Sequence, residues 1–251
     1  MKKENISNEI PQKSNSYMLP ISIIIAGIII SLAIILSSRS TTQNKPATIS
    51  NNKSTNTNTI PQNNNAQNVT VSLGTNPILG NIKKAKVGIV EFGDFQCPYC
   101  KEFYQTAQNE ILTHFINNGK AVFAFRDYPL TLIHPLAANL AIDGRCFGEQ
   151  GKFWQFDHVI YSSSQNNDTQ QTILEYVNQM HLNTSEYENC VNQNLYKTQI
   201  QKDVNAGNRI KVQGTPSFVI GKLNNGKITG QLILGTYSFN HYSSIIQSYL
   251  K

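Results

Sequence analysis

Four cysteines occur in 251 residues, and two of them stand three apart in Cys97-Pro98-Tyr99-Cys100. Two thiols at that spacing can close a disulfide, supply half of a zinc site, or sit inert in a core. Their flanks discriminate. Val87-Gly88-Ile89-Val90-Glu91-Phe92 is an apolar, β-branched run that reads as a buried strand, and Gly93-Asp94 supplies a turn. Beyond Cys100, the residues Phe103, Tyr104, Ala107, Ile111, Leu112, Phe115 and Ile116 recur at three- and four-residue spacing, one face of a helix. The pair therefore opens a helix directly after a strand. Pro98 takes the first turn, where a missing N–H costs nothing.

That placement suits redox chemistry. Unpaired N–H groups and the positive dipole end of a helix favour a thiolate at Cys97, and Cys100 lies one turn further in, within reach of it. A zinc ribbon needs a second Cys-x-x-Cys or a His pair at short spacing, and the sequence holds neither. His114, His134, His158, His181 and His241 are scattered, so no metal and no cofactor is expected. Trp154 and its aromatic neighbours read as core.

Charge is unevenly placed. Residues 1–68 hold six Lys/Arg against two Asp/Glu, a balance of +4, and residues 69–251 hold fifteen against thirteen, a balance of +2. A nearly neutral folded region without an aromatic-studded basic patch argues against a nucleic-acid partner. Residues 19–36 carry no charge over 18 positions, long enough to cross a bilayer core, and no clean small-x-small cleavage site follows. The expectation is an uncleaved anchor, with a cleaved signal as the alternative. The Lys/Arg count gives only a slight bias toward a cytoplasmic tail at 1–18. A disulfide catalyst belongs in an oxidising compartment, which places the remainder outside. Residues 37–68, rich in Asn, Thr, Ser and Gln, read as a flexible linker, and 69–251 as the folded domain.

Within that domain, Val69 to Leu73 alternates as an edge strand does, and Pro77 to Lys86 connects it to the strand before Cys97. Gly119 ends the first helix, and Lys120 to Arg126 is a second strand. Strand, helix and strand make a βαβ unit with parallel strands. From about 134 to 211 the pattern is helical throughout. It runs from an opening at His134-Pro135, through a start at Gln150-Gly151-Lys152-Phe153-Trp154, a cap at Asp168 and a short segment from Thr184 or Ser185, to a helix over Leu195–Ile210. Gly214-Thr215-Pro216-Ser217-Phe218 then turns into a strand. Asn224-Asn225-Gly226 makes a hairpin, and Ser238 caps a last helix. The fold class is α/β, with helices inserted in its middle.

Three motifs in this order, Glu91-Phe92-x-Asp94-Phe95-x-Cys97-Pro98-x-Cys100, Gln150-Gly151-Lys152-Phe153-Trp154 and Gly214-Thr215-Pro216-Ser217-Phe218, resemble those of DsbA-type thiol–disulfide oxidoreductases of the thioredoxin superfamily. The resemblance covers roughly residues 70–251. It implies a thioredoxin-like fold with a helical subdomain and a cis-proline at Pro216 beside the cysteine pair. It also implies that the Thr215 backbone can pair with an extended substrate, that a buried acid at Glu91 handles the Cys100 proton, and that the Pro98-Tyr99 dipeptide tunes the reduction potential. Cys146 and Cys190 fall in the helical insert. An even cysteine count in an oxidising compartment favours a structural disulfide between them over two free thiols or a second redox pair. The expected partners are exported polypeptides with free cysteines and a membrane quinone-linked thiol oxidase for recycling. A reductase or isomerase of the same fold, and a non-catalytic tethered chaperone, are the alternatives.

Overall fold

The computed structural model describes residues 68–163 and 169–251. The expected anchor at 19–36, the tail before it and all of the linker but Asn68 lie outside the described residues. Among those described, no helix is long and apolar enough to cross a membrane.

A six-stranded sheet in the order β1-β6-β5-β3-β4-β2 forms the centre. Its strands are β1 (Asn68–Ser72), β2 (Ile78–Leu79), β3 (Val87–Gly93), β4 (Ala121–Asp127), β5 (Ser217–Asn224) and β6 (Lys227–Leu234). β3 and β4 run parallel, as the intervening helix requires, and all other neighbours are antiparallel. β1 is an edge strand that begins one residue before the expected domain boundary. β2 lies in the stretch read as a plain connection, where a two-residue strand leaves no periodic signal.

β3 is buried along its whole length, and its side chains alternate between faces. Val87 and Ile89 pack with Phe123, Phe218 and Ile220 under the first helix, and Val90 and Phe92 pack on the opposite face with Tyr128, Ala206 and Ile210. Period two puts Glu91 on the Val87–Ile89 face, the one covered by the helix that bears the cysteines. The hairpin joining β5 to β6 turns at Asn225 and Gly226, both at positive φ as this tight turn demands.

The first helix begins as α1 (Pro98–Phe103). It continues through π-helical turns at Tyr104–Gln108 and Leu112–Ile116, with Asn109–Ile111 α-helical between them. The sequence pattern gives the helix but not its widened turns. Phe103, Ala107, Ile111 and Phe115 are all buried and stand four apart. On a 3.6-residue helix that spacing drifts by about 40° per step, and wider turns take up the drift and keep the four on one face. Gly119, at φ +75°, terminates the run.

Five helices lie between β4 and β5: α2 (Ala137–Glu149), α3 (Phe153–Ser162), α4 (Gln170–Gln179), α5 (Thr184–Asn192) and α6 (Lys197–Arg209). This is the expected insert, with local shifts. α2 starts at Ala137, after the His134-Pro135 turn. α4 is capped by Thr169, whose side chain accepts from the Thr172 N–H, and α5 by Asn183, which accepts from Glu186. The last helix, α7 (Phe239–Leu250), has Ser238 at its N-cap position without a side-chain bond.

Cys146 of α2 and Cys190 of α5 form a disulfide across a sequence separation of 44. A loop of that size contributes about 4 kcal/mol in the chain-entropy account. The double variant Cys146→Ala/Cys190→Ala is expected to lower the unfolding free energy by roughly that amount, read from denaturant midpoints. A loss below about 1 kcal/mol would show that the bond adds little beyond the packing around it.

Candidate active site

Cys97 occupies the N-cap of α1, with an extended backbone (φ −75°, ψ 124°), and Pro98 follows at the first position. Both Cys97 and Cys100 are free thiols. The Cys97 Sγ–H donates to the Thr215 carbonyl at 3.2 Å, so the turn before β5 meets the start of the helix, and the Thr215–Pro216 bond is cis. Six of the expected site residues, Cys97, Pro98, Tyr99, Cys100, Thr215 and Pro216, thus converge at one end of the sheet, where β3 ends and β5 begins. The seventh, Glu91, lies beneath them. Tyr99 stands 60% exposed at the rim and its carbonyl accepts from Thr236 Oγ1, whereas Cys97 keeps only 3% of its surface.

The two thiols are electrostatically unequal. The Cys97 thiol is lowered to about 6, most of all by the hydrogen bond from the Cys100 side chain. Burial opposes the shift, and Thr215 and the backbone N–H groups of Cys100 and Tyr99 add to it. The Thr215 carbonyl serves the thiol form. Its hydroxyl, buried and otherwise unpartnered, is the group that favours the thiolate. Cys100 is fully buried, and burial pushes its thiol well up, reinforced by Cys97 and by Glu91. Glu91 is 1% exposed, and its carboxyl too is pushed well up, first by burial and next by Asp157, with the Cys100 hydrogen bond working the other way. An acid whose proton is held more tightly than usual, under a thiol that resists ionisation, can exchange a proton with it.

The loop carrying Cys97 is stitched to the loop after β4. Asp94 accepts from the Gln96 N–H at 2.8 Å through Oδ1, and its Oδ2 meets the Leu130 N–H at 2.9 Å and His134 Nδ1 at 2.7 Å. Its carbonyl accepts from the Cys97 N–H and from the Tyr161 hydroxyl. Gln96 Oε1 in turn accepts from the Leu136 N–H. Sequence reasoning gave Asp94 a turn and His134 no role. His134 meets Asp94 across 40 residues, and no local pattern reveals a partner at that distance. Asp157 was also missed, although an acid inside the apolar stripe Phe153, Phe156, Ile160 and Tyr161 was the available signal.

The family model Thioredoxin_4, described as thioredoxin, matches residues 72–232. A Bacillus cereus protein named probable disulfide bond formation protein D is 30% identical over 151 residues, which cover 56% of this chain and 68% of that one. The Na(+)/H(+) antiporter NhaA 1 of Salinispora arenicola is 31% identical over 166 residues; the match takes in 66% of this chain but spans only 24% of the antiporter's length. The crystal structure of Wolbachia pipientis alpha-DsbA1 superposes with a TM-score of 0.60 at 18% identity, over 70% of this chain and 91% of that one, a likeness of fold. With the strand–CxxC–helix start, the helical insert and the Thr-Pro turn all in place, the chain belongs to the thioredoxin family.

Proposed function

We propose that the domain introduces disulfide bonds into exported polypeptides through Cys97 and Cys100. The observation that carries this reading is the asymmetry of the pair: Cys97 ionises easily at the helix start, and Cys100 is buried over Glu91, whose carboxyl is pushed well up by burial. A substrate thiolate attacks Cys97 Sγ of the enzyme disulfide. The S–S bond breaks, and Cys100 leaves and takes a proton from Glu91. A second substrate thiolate then attacks the substrate sulfur of the mixed disulfide, and Cys97 departs as a stable thiolate. The substrate gains one disulfide and the enzyme two electrons. Because the thiolate is favoured at Cys97, the reduced enzyme is stabilised and the oxidised one is a strong oxidant.

Family resemblance supports Thr215 as the backbone that aligns an extended substrate beside Cys97, and Pro98-Tyr99 as the tuning dipeptide. It also supports a quinone-linked membrane thiol oxidase as the acceptor of the two electrons. The charge-free run at 19–36 supports an anchor, and the polar composition of 37–68 supports a tether. The oxidising compartment that a disulfide catalyst needs supports 1–18 inside the cell and the catalytic domain outside. The reductase and isomerase readings are separated by the reduction potential. We expect a value more positive than about −200 mV; a value near the −270 mV typical of thioredoxin would overturn the oxidase reading. A Cys100→Ala variant is expected to accumulate mixed disulfides through Cys97. Their absence in cells with exported cysteine-containing proteins would favour the non-catalytic module.

A further inference from the structure

The helical insert delivers a second acid to the underside of the cysteine pair. Asp157 lies on the buried face of α3 and keeps 3% of its surface. No salt bridge holds it among the described residues. Its hydrogen bond is a long one, 3.5 Å from Gln108 Nε2, and Gln108 is itself buried in the first π-helical turn. On β3, Glu91 Oε1 is buried without a hydrogen-bond partner. Two carboxyls and an amide thus share a partly satisfied polar box under Cys100, on the side where Phe153, Phe156, Ile160 and Tyr161 of α3 pack in one cluster with it.

We infer that Asp157 acts on Cys100 through Glu91: as a second acid in the same water-poor box, it holds Glu91 in the protonated form that can donate to Cys100 as that sulfur leaves. Two acids that share a desolvated space cannot both ionise easily, so the proton affinity of one depends on the other. Burial pushes the Asp157 carboxyl up to about 7, against the opposing Gln108 hydrogen bond, and its charge ranks second only to burial in raising Glu91. The groups that face it are Glu91 from β3, Tyr104 and Gln108 from the first helix, and Tyr161 from its own helix. All are acids, phenols or an amide, and none supplies a compensating cation. When Cys100 leaves, the Glu91 O–H proton passes to the Cys100 thiolate and Glu91 becomes a carboxylate. When Cys100 attacks a mixed disulfide, its S–H proton returns to that carboxylate. Asp157 touches neither sulfur, so it is a positioning residue for the proton.

This rests on Cys100 being the buried leaving thiol of the proposed reaction. The test is the rate at which Cys100 attacks a Cys97–glutathione mixed disulfide, followed against pH in the full chain. In the wild type the rate rises as Glu91 loses its proton. In Asp157→Asn, which keeps the shape and a partner for Gln108, Glu91 binds its proton less tightly. The midpoint is then expected to move down on the order of one pH unit, and Asp157→Glu is expected to keep the wild-type midpoint. A merely structural Asp157 would change unfolding midpoints and leave the profile in place, and a coincident profile for Asp157→Asn overturns the inference. Carbon-13 titration of the Glu91 and Asp157 carboxyls in the wild type gives a second reading that needs no variant. Biphasic, mutually dependent curves are expected, and two independent single-step curves overturn the proposal. Failure of exchange at every pH in the wild type would instead count against the proposed function.

Discussion

Replacing Cys97 by Ala is expected to abolish disulfide exchange, whereas Cys100→Ala keeps the first attack and stalls at the mixed disulfide. The quantitative part of this expectation is the pH profile of Cys97 alkylation by a small haloacetamide. With its thiol lowered to about 6 by the Cys100 hydrogen bond and the helix-start N–H groups, Cys97 is mostly thiolate at neutral pH. A free cysteine near 8.5 is about 3% thiolate there. The roughly thirty-fold gain in thiolate is largely cancelled by the weaker nucleophilicity of a less basic sulfur, about thirteen-fold for a Brønsted slope near 0.45. The net advantage at pH 7 is only about two-fold. At pH 5 the thiolate ratio grows to about 300, leaving a net advantage of about twenty-fold. The discriminating measurement is therefore made in acid, on the Cys100→Ala and wild-type proteins side by side. The wild-type midpoint should lie near 6 and rise in Cys100→Ala, because the strongest stabilising hydrogen bond is gone. A wild-type midpoint above 8 would remove the basis of the oxidase reading.

What could be read before folding was local. The strand Val87–Gly93, the helix after Cys97 and the turn at Asn225-Gly226 each carry their signal within a few residues, so hydrophobic period and turn chemistry find them. The placement of Glu91 below Cys100 came from the family resemblance, and in the structure it agrees with the parity of β3, since Glu91 lies an even number of residues from Ile89. The cis bond at Pro216 and the pairing of Cys146 with Cys190 came from motif order and compartment, because neither chain separation nor composition encodes them. Side chains that act across long separations stayed silent. His134 closing on Asp94, Asp157 facing Glu91 and Asp203 facing Arg126 all sit in segments whose period says only that a helix or loop is present. The widened turns at Tyr104–Gln108 and Leu112–Ile116 were hidden for another reason. Four-residue apolar spacing satisfies an α-helical template nearly as well as a π-helical one, and only packing against the sheet decides between them.

The longest-range of those silent groups sets the second large expectation, that Asp203→Ala destabilises the fold by about 3–5 kcal/mol. Asp203, on the buried face of α6, accepts from Arg126 Nε of β4 at 2.7 Å through Oδ1. Its Oδ2 meets Arg145 Nη2 of α2 and the Asp127 N–H. Arg145 also reaches Asp127 Oδ2 and Thr75 Oγ1, and Arg126 reaches the Ser72 carbonyl. The side chains of Asp203, Arg126, Arg145 and Asp127 are all 5% exposed or less, so removing one carboxylate leaves two desolvated guanidinium groups short of a partner. The cost of that desolvation, rather than the worth of any one bond, sets the size of the effect. Two helices of the insert are fastened to the sheet here, and Asp157 faces Glu91 only while the insert is docked. Asp203→Ala should therefore lower the unfolding midpoint and also blunt the pH dependence of Cys100 attack. The double variant Asp203→Leu/Arg126→Met replaces the ion pair by apolar volume and is expected to recover part of the stability, since an apolar substitute for a buried pair is often neutral or better. A loss below 1 kcal/mol in Asp203→Ala would mean that water enters to solvate both arginines, and that the insert is held to the sheet by its apolar contacts alone.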